Sequence, residues 1–593
     1  MGKQPPQSFP RSGCTDDSAP ICGSSCCATK PSRPEKSNEI GRPKEDRAAA
    51  PEEDEADVKE LLLIGAGPHG HAIMLRLLEP DPDFLSDKER HQRAEHTNHM
   101  RPVQDVIKHV KNLSRGERAT LRSKSRRSRK KSQGNSETPH PPPHLHLREV
   151  KKSVLVVDSH GGWMQAWKDN FESLRIPRLR SLMNAHTDPF DHRSLEYYAE
   201  AKGRGDELVT LKCLSQRDKN FNGPYQVPST SIFNSFSDLL SKAYGIEDLV
   251  RTGTVLSINP TQQDGKPDEP IFEVQISFGK QKSDVRTVKT KRIVCSMGPI
   301  FRASEHRWLQ DLVPQACERV LHAHEICQYL KRRSEGDSRT DDTLRRILIV
   351  GGGLTSAQLA LLATESNWCT EVTFIQRSRM NPRHFDIGND WMGPKRGKLL
   401  EDFWCLDVHD RVKKLKETRG GGTIPPEVIL ELANQGKKLK VKEEVEVTEV
   451  QWLDGRLQVT LDDGSEPELY DMIWLATGAQ NHIDHYSALS HLREVLPVDV
   501  VNGFPVLNTD LSWRAPTVEE EEGESDEPTW QQKARKRIWF TGALAALQLG
   551  PDALNLIGAR HGSVRVARAI RQDITQSKIT ASLKEDEDDC GCC

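Results

Sequence analysis

The chain has 593 residues, of which 29% are charged, and a formal net charge of −3 at pH 7, so the whole molecule carries no strong electrostatic bias. No apolar run approaches the roughly 18 residues of a membrane-spanning helix, and the N-terminus lacks the basic-then-apolar layout of a secretory signal. The thirteen cysteines are not spaced like a secreted disulfide framework. We therefore expect a cytoplasmic protein without a membrane span.

Four polar stretches interrupt the strand and helix patterns. Residues 1–57 are rich in Pro, Ser and charge, which predicts a disordered leader. The basic stretch 81–151, which contains RSKSRRSRKKS, is predicted to be a disordered insertion, and the acidic stretch 515–536 a second one. Residues 574–593 are predicted to be a disordered tail that ends in CGCC. Because runs of like charge are usually solvated, we expect no nucleic-acid partner, and a nuclear location through the basic insertion is the secondary interpretation.

The first recognisable motif is LLLIGAGPHGHA, which begins at Leu61 and reads as a buried strand, a glycine turn and a helix start. Such a turn lets the backbone approach a pyrophosphate, which the N–H groups and the dipole of the helix N-terminus can hold. The candidate contacts are Gly65, Ala66, Gly67, Pro68 and Gly70. A dinucleotide-binding unit also needs an acidic residue about 20 positions further on, to hold a ribose.

Asp158 is the candidate for that acidic residue. It ends the apolar strand SVLVVD and falls at about the usual spacing once the polar insertion 81–151 is removed. Loops tolerate such insertions because the entropy of closure grows only logarithmically with length. The sequence therefore predicts an intact but interrupted FAD site. The competing interpretation is a chance glycine turn and an ordinary aspartate at the end of a strand.

A second motif of the same kind, RRILIVGGGLTSAQLALLA, begins at Arg345. Its candidate contacts are Gly351, Gly353, Thr355 and Ser356. The next strand ends in Gln376 and Arg377 and not in an acid, and an arginine there accommodates a 2′-phosphate. This pattern favours NADPH over NADH. The competing interpretation is that Arg377 and Arg379 only face solvent.

Two further strands run into glycine turns, at KRIVCSMGP and at DMIWLATGAQ. They give Gly298 and Gly478 as candidate cofactor contacts. Val255, in the β-rich region before the first of these turns, is another.

We predict an α/β fold with two Rossmann-type dinucleotide-binding domains, the NADPH domain being inserted in the FAD domain. The predicted ranges are 58–80 and 152–300 for FAD binding, 301–480 for NADPH binding, and 481–573 for completion of the FAD and substrate region.

The segments IVGGGLTSAQ and DMIWLATG resemble the flavin-dependent N-hydroxylating monooxygenases, the L-lysine and L-ornithine hydroxylases of siderophore synthesis. The segment IWFTGALAALQLGPDALNLIGARHG is similar to the part of that family that closes over the flavin. The resemblance implies that Gly550, Pro551 and Asn555 lie near the isoalloxazine ring, with Gly542 and Trp163 as further cofactor contacts.

The chain departs from the family at Leu354, where the hydroxylases carry Gln, and at WMQAW, which replaces their Trp-His-x-Gly-Met stretch. We expect the segments Phe385 to Phe403 and Arg419 to Val428 to shape a different pocket. The resemblance therefore supports the two cofactors better than it supports lysine or ornithine as the substrate.

The resemblance implies an oxidoreductase that uses FAD, NADPH and O2 to hydroxylate a nucleophilic nitrogen of a small substrate through a flavin C4a-(hydro)peroxide. It identifies no catalytic residue, substrate or oligomeric state, and we expect no metal site. One alternative is a flavoprotein that oxidises NADPH without hydroxylation or has a regulatory role. Another is a disulfide reductase that uses the C-terminal CGCC, although neither nucleotide domain contains the partner cysteine pair that electron transfer to a disulfide needs.

Overall fold

The computed structural model describes residues 58–79, 152–189, 191–211, 225–279, 284–298, 306–334, 345–392, 395–478, 481–517 and 528–589. The predicted leader, the basic insertion and the terminal CGCC lie outside these residues, so the predictions made for them stay untested. Within the described residues, the helices all lack the combination of length and apolar character that crossing a bilayer requires.

The helices of the described residues are α1 (Pro68–Leu78), α2 (Gln165–Ser173), α3 (Ser194–Lys202), α4 (Thr230–Ala243), α5 (Pro314–Cys317), α6 (Ala323–Ser334), α7 (Leu354–Glu365), α8 (Arg396–Trp404), α9 (Val408–Arg419), α10 (Pro426–Ala433), α11 (Ser490–Val495), α12 (Thr529–Arg535), α13 (Ala546–Leu549) and α14 (Leu556–Asp589).

The strands are β1 (Leu61–Ile64), β2 (Val154–Asp158), β3 (Leu208–Leu211), β4 (Tyr225–Pro228), β5 (Val250–Gln263), β6 (Lys266–Phe278), β7 (Asp284–Thr290), β8 (Ile293–Cys295), β9 (Val320–His322), β10 (Arg346–Val350), β11 (Glu371–Gln376), β12 (Leu439–Glu443), β13 (Val447–Leu453), β14 (Arg456–Leu461), β15 (Glu468–Tyr470), β16 (Met472–Leu475), β17 (Val500–Val501), β18 (Phe504–Pro505) and β19 (Ile538–Phe540).

The first large sheet has seven strands in the order β19-β8-β1-β2-β5-β6-β7. The strands from β19 to the start of β5 are parallel, while β5, β6 and β7 form an antiparallel extension. β1 and β8 are fully buried, as the continuous apolar runs of central parallel strands predict. Helix α1 packs against the long helix α14. The carboxyl ends of β1, β2, β8 and β19 therefore meet at one edge of the sheet.

The second large sheet is parallel throughout, with the order β12-β11-β10-β16-β9. Its strands all lie between β8 and β19 in the chain. Helix α7 follows β10 and packs against β11 and α10. The antiparallel sheet β13-β14-β15 is inserted before β16. The predicted α/β class is confirmed, and both glycine motifs form a strand, a turn and a helix.

Two polar stretches are more ordered than their composition predicts. Part of the stretch 515–536 folds as α12, and the buried Arg535 donates from Nη1 to the carbonyl of Pro497 at 2.6 Å. Helix α14 continues through Asp589, so most of the predicted tail 574–593 is helical. A charged composition indicates a solvated segment, but at α12 the charge of Arg535 is satisfied by backbone carbonyls that the sequence does not reveal.

Three histidines lie in or near α1, of which His71 and His186 are buried and His69 is half-buried. His71 lies between Thr187 and Ser241, with Nδ1 2.9 Å from the threonine hydroxyl and Nε2 3.0 Å from the serine hydroxyl. Burial lowers the pKa of His71 to about 3 and that of His69 to about 4, and it lowers the pKa of His186 as well. All three imidazoles are therefore neutral in the folded protein at pH 7.

We expect the free energy of unfolding to fall as the pH drops below about 6.5, the ordinary histidine pKa. Below that pH the unfolded chain binds a proton at each of these histidines and the folded chain does not. Each histidine should therefore cost about 1.4 kcal/mol of stability per pH unit, and above that pH its contribution is constant. Denaturant unfolding between about pH 7 and pH 5 measures the slope, and a His71→Gln variant should show a shallower one. Equal stability across this range would contradict the expectation.

Candidate functional site

The turn between β1 and α1 is closed by Asp158 at the end of β2. The backbone N–H of Ala66 donates to Oδ2 of Asp158 at 2.8 Å, although 92 positions separate them in the chain. Ile64 lies opposite Val157 in the parallel pair, so the turn and the carboxylate meet at the same edge of the sheet. The structure therefore brings Asp158 to the first turn as predicted, while its role toward a ribose stays a prediction.

Three glycines in this turn have different surroundings and therefore different structural roles. Gly65 has a φ of +97°, and a Cβ there would lie 2.7 Å from the carbonyl oxygen of Ser296. A Cβ on Gly70 would lie 2.0 Å from the carbonyl oxygen of Gly65, so Gly70 lets α1 pack closely on the turn. Nothing lies within 4 Å of a Cβ on Gly67, which faces open space at the N-terminus of α1.

A cavity of about 730 Å³, here called the first cavity, opens beside this turn. The predicted contact residues that line it are Gly65, Gly67, Pro68, Asp158, Val255, Gly298, Gly542 and Asn555. Trp167 and Phe171, whose rings stack with centroids 3.8 Å apart, add an aromatic wall. Most of the residues predicted for the FAD site thus surround a single cavity.

Trp163 does not line the first cavity. Its ring is buried in the core, 5.4 Å from the ring of His71, and its Nε1 donates to the carbonyl of Ile246 at 2.8 Å. Trp167, four residues further along the chain, lines the cavity instead. Trp163 therefore packs in the core and does not reach the cavity. The short motif does not reveal which tryptophan of WMQAW faces the cavity.

Gly550 and Pro551 also lie outside the lining of the first cavity. A Cβ on Gly550 would lie 2.8 Å from Leu400, and the carbonyl of Pro551 accepts a hydrogen bond from Nη1 of Arg419 at 3.0 Å. Only Asn555 of this predicted group reaches the cavity. The two others support a loop behind the cavity wall.

The polar groups of the first cavity have perturbed acidities. Burial raises the pKa of Asp158, but hydrogen bonds from His160 and from the Ala66 N–H outweigh it, so this pKa lies below its ordinary value. His69 lines the cavity with Nδ1 2.8 Å from the hydroxyl of Thr541, and burial keeps its imidazole neutral. The cavity therefore presents an ionised carboxylate and an uncharged imidazole at neutral pH.

A larger cavity of about 1470 Å³, here called the second cavity, opens beside the turn between β10 and α7. The predicted contact residues that line it are Gly351, Gly353, Thr355, Arg377 and Gly478. Ser356 lies behind the lining, where its Oγ accepts from the N–H of Gly353 at 3.1 Å and donates to the carbonyl of the same residue at 2.7 Å. Ser356 thus caps α7 and shapes the turn from behind.

Four arginines line the second cavity, and their charges are not equivalent. Arg379 pairs with Glu444 at 3.2 Å, and Arg419 pairs with Asp386 at 2.7 Å. The guanidinium groups of Arg377 and Arg383 make no hydrogen bond or ion pair with the residues that the structure describes. Sequence reasoning found Arg377, but it missed Arg383 because no motif marks that position.

A half-buried arginine, Arg180, connects the two cavities. Arg180 lines the first cavity and donates to the carbonyls of Arg383, His384 and Thr423 at 3.1, 3.0 and 3.2 Å. Burial lowers the pKa of Arg180 to about 10, so it stays charged at neutral pH. Thr423 belongs to the segment Arg419 to Val428, and Arg383 and His384 directly precede the segment Phe385 to Phe403. Both segments contribute residues to the lining of the second cavity.

The fold is similar to that of solved flavin-dependent hydroxylases. An ornithine N-hydroxylase from Kutzneria sp. 744, named as a complex with reduced FAD, NADP+ and L-ornithine, has a TM-score of 0.55 and 16% identity, covering 87% of this chain and 100% of that one. The ornithine hydroxylase from Pseudomonas aeruginosa has a TM-score of 0.54 and 16% identity over the same shares.

A third similar structure is the FAD-bound cadaverine monooxygenase of desferrioxamine biosynthesis from Erwinia amylovora, with a TM-score of 0.51 and 13% identity over 87% of this chain and 94% of that one. No protein-family model matches the sequence, and no curated protein does. At these identities the similarity establishes the fold, and it is the fold that the resemblance to N-hydroxylating monooxygenases implies.

We expect Gly70→Ala and Gly67→Ala to differ sharply in stability. The methyl group at residue 70 would overlap the backbone of the turn, which should lower the free energy of unfolding by about 3 kcal/mol or more. At residue 67 the methyl group meets open space, so the loss should stay below about 1 kcal/mol, the cost of alanine at a helix N-cap. Chemical denaturation measures both, and equal losses would show that the turn is not as tightly packed as described.

Proposed function

We propose that the protein is an oxidoreductase that binds FAD in the first cavity and NADPH in the second. The main support for the proposal is that side chains of opposite charge follow the strands beside the two glycine turns. The carboxylate of Asp158 accepts a hydrogen bond from the first turn. The guanidinium of Arg377, which has no hydrogen-bond or ion-pair partner among the described residues, lies beside the second. A carboxylate suits a free ribose hydroxyl and an arginine suits a 2′-phosphate.

The domain assignment follows from the two sheets. We propose that the seven-stranded sheet with α1 is a Rossmann-type FAD-binding domain, formed by 58–80 and 152–300 and completed by 481–573. The five-stranded sheet is then the NADPH-binding domain over 301–480. The position of β9 to β16 between β8 and β19 supports this insertion.

The residues of the first cavity fit a flavin dinucleotide. Gly67 leaves room at the N-terminus of α1, whose first turn carries no acidic side chain. The free N–H groups at such a terminus attract a pyrophosphate. Asp158 would hold the adjacent ribose, and the stacked pair Trp167 and Phe171 gives a flat apolar surface for a ring. FAD, when bound, would supply the electron transfer from NADPH to O2.

We further propose that the reaction is hydroxylation of a nucleophilic nitrogen of a small substrate. The two solved ornithine hydroxylases and the cadaverine monooxygenase are named for such amines, and this support comes from fold similarity alone. In this chain the segment from Asp386 to Asn389 borders both cavities, since Asp386 lines the first and Ile387 to Asn389 line the second. That segment is where a substrate could meet both cofactors.

The chain's own contribution is to orient the reacting groups. Arg180 holds the backbone between the two cavities by donating hydrogen bonds to the carbonyls of Arg383, His384 and Thr423. The neutral imidazole of His69 places a polar group in the first cavity without adding a charge. These features hold the reacting groups in place and leave the redox chemistry to the cofactor.

Steady-state NADPH oxidation with a panel of primary amines and amino acids tests the reaction type. We expect one amine class to accelerate NADPH consumption and to yield a hydroxylamine in proportion to it. Hydrogen peroxide, measured in parallel, should account for only a minor part of the NADPH consumed. Peroxide that equals the NADPH consumed with every amine would instead indicate an oxidase.

We expect Arg377→Ala to lower kcat/KM for NADPH by about ten- to hundred-fold more than for NADH. Loss of a hydrogen bond to a charged group costs about 1.5–3 kcal/mol, and each 1.4 kcal/mol is a factor of ten. NADH has no 2′-phosphate, so it loses little. Arg379→Ala is the matched control, because Arg379 already pairs with Glu444 and should have a smaller effect. Equal losses with both nucleotides would place Arg377 away from the 2′-phosphate.

A further inference from the structure

The triple-glycine segment Gly420 to Gly422 lines the second cavity next to the turn between β10 and α7. Gly420 and Gly421 have φ of +63° and +81°, a backbone shape that favours glycine. A Cβ on Gly422 would lie 2.4 Å from the carbonyl oxygen of Gly352. The absence of side chains thus lets this wall touch the second glycine turn directly.

Arg383 lies against the same wall. Its Nη1 would be 3.5 Å from a Cβ on Gly420, so the guanidinium occupies the space that a side chain there would take. Gly420 is two residues from Gly422, which packs on the second turn. The guanidinium and the turn before α7 therefore border the same glycine segment and line the same cavity. The first turn of α7 carries no acidic side chain.

The backbone of Arg383 is held on both sides. Its N–H donates to the carbonyl of Ile424 at 3.0 Å, and its carbonyl accepts from Nη2 of Arg180 at 3.1 Å. Pro382 pairs with Ile424 as an isolated parallel bridge. The side chain, in contrast, has no hydrogen-bond or ion-pair partner among the described residues, so a fixed backbone presents an available cation to the cavity.

We propose that Arg383 is a second anion-binding residue of this cavity and that it binds the pyrophosphate of the nicotinamide dinucleotide, an assignment that rests on the proposed function. A guanidinium can make paired charge-assisted bonds to phosphate oxygens. Arg377 follows β11, where the ribose is expected. Arg383 lies against the glycine segment that contacts the turn before α7, and a pyrophosphate would meet the N–H groups of α7 at that turn. Arg377 thus binds the 2′-phosphate and Arg383 the pyrophosphate of the same nucleotide.

Calorimetric titration of the full-length protein with NADP+, NAD+ and 2′-AMP separates the two roles. The pyrophosphate is common to NADP+ and NAD+, so Arg383→Gln should raise Kd for both by about ten- to hundred-fold and leave 2′-AMP unchanged. Arg377→Gln should weaken NADP+ and 2′-AMP but not NAD+. Arg379→Gln should have a smaller effect than either of these variants, because Arg379 already pairs with Glu444. Arg383→Lys should recover part of the loss.

The assignment of Arg383 is overturned if Arg383→Gln and Arg383→Lys both bind the two dinucleotides like the unchanged protein. It is also overturned if Arg383→Gln weakens NADP+ and 2′-AMP but spares NAD+, since the side chain would then face the 2′-phosphate. A wild-type protein that binds neither dinucleotide would overturn the proposed function itself. Unchanged melting temperatures in the variants show that any loss is local.

Discussion

The first candidate site depends on one hydrogen bond, from the N–H of Ala66 to the carboxylate of Asp158. It joins two parts of the chain that a long polar stretch separates, and it fixes the first glycine turn against the end of the neighbouring strand. The cost of closing so long a loop rises only with the logarithm of its length. The parallel pairing of β1 and β2 provides the register that brings the two groups together.

The second constraint is the contact between the two cavities. Arg180 reaches from the lining of the first cavity to three carbonyls behind the wall of the second. A partly buried cation that donates only to neutral acceptors loses hydration, and its hydrogen bonds must compensate for that loss. Movement of the segment that carries Arg383 would break these bonds. The relative placement of the cavities is therefore coupled to the packing of one side chain.

The parts of the fold that the sequence predicted are those set by local pattern. A buried parallel strand is a continuous apolar run, and a turn that approaches a phosphate needs glycine, so β1, β10 and the helices after them could be predicted. Asp158 was identified by spacing once the insertion was removed. The ribose, phosphate and ring contacts themselves stay predictions.

The remaining features depend on tertiary contacts. The sequence did not distinguish Trp163 from Trp167, because the local motif does not fix which ring faces the cavity. Arg383 belongs to no motif, and Arg180 lies in the run LRIPRLRS, which does not reveal its partners. The roles of both arginines arise from carbonyls and glycines far along the chain. The order of α12 was missed for the same reason, since its charged residues find their partners only in the folded state.

FAD binding in the first cavity is tested most directly by the identity and amount of the chromophore released when the purified protein is denatured. We expect FAD in a one-to-one ratio with the chain. We also expect a Gly67→Val variant that folds but releases almost none, because the added side chain would occupy the space left for the pyrophosphate. A wild-type protein that binds no flavin even when FAD is supplied would contradict the central claim.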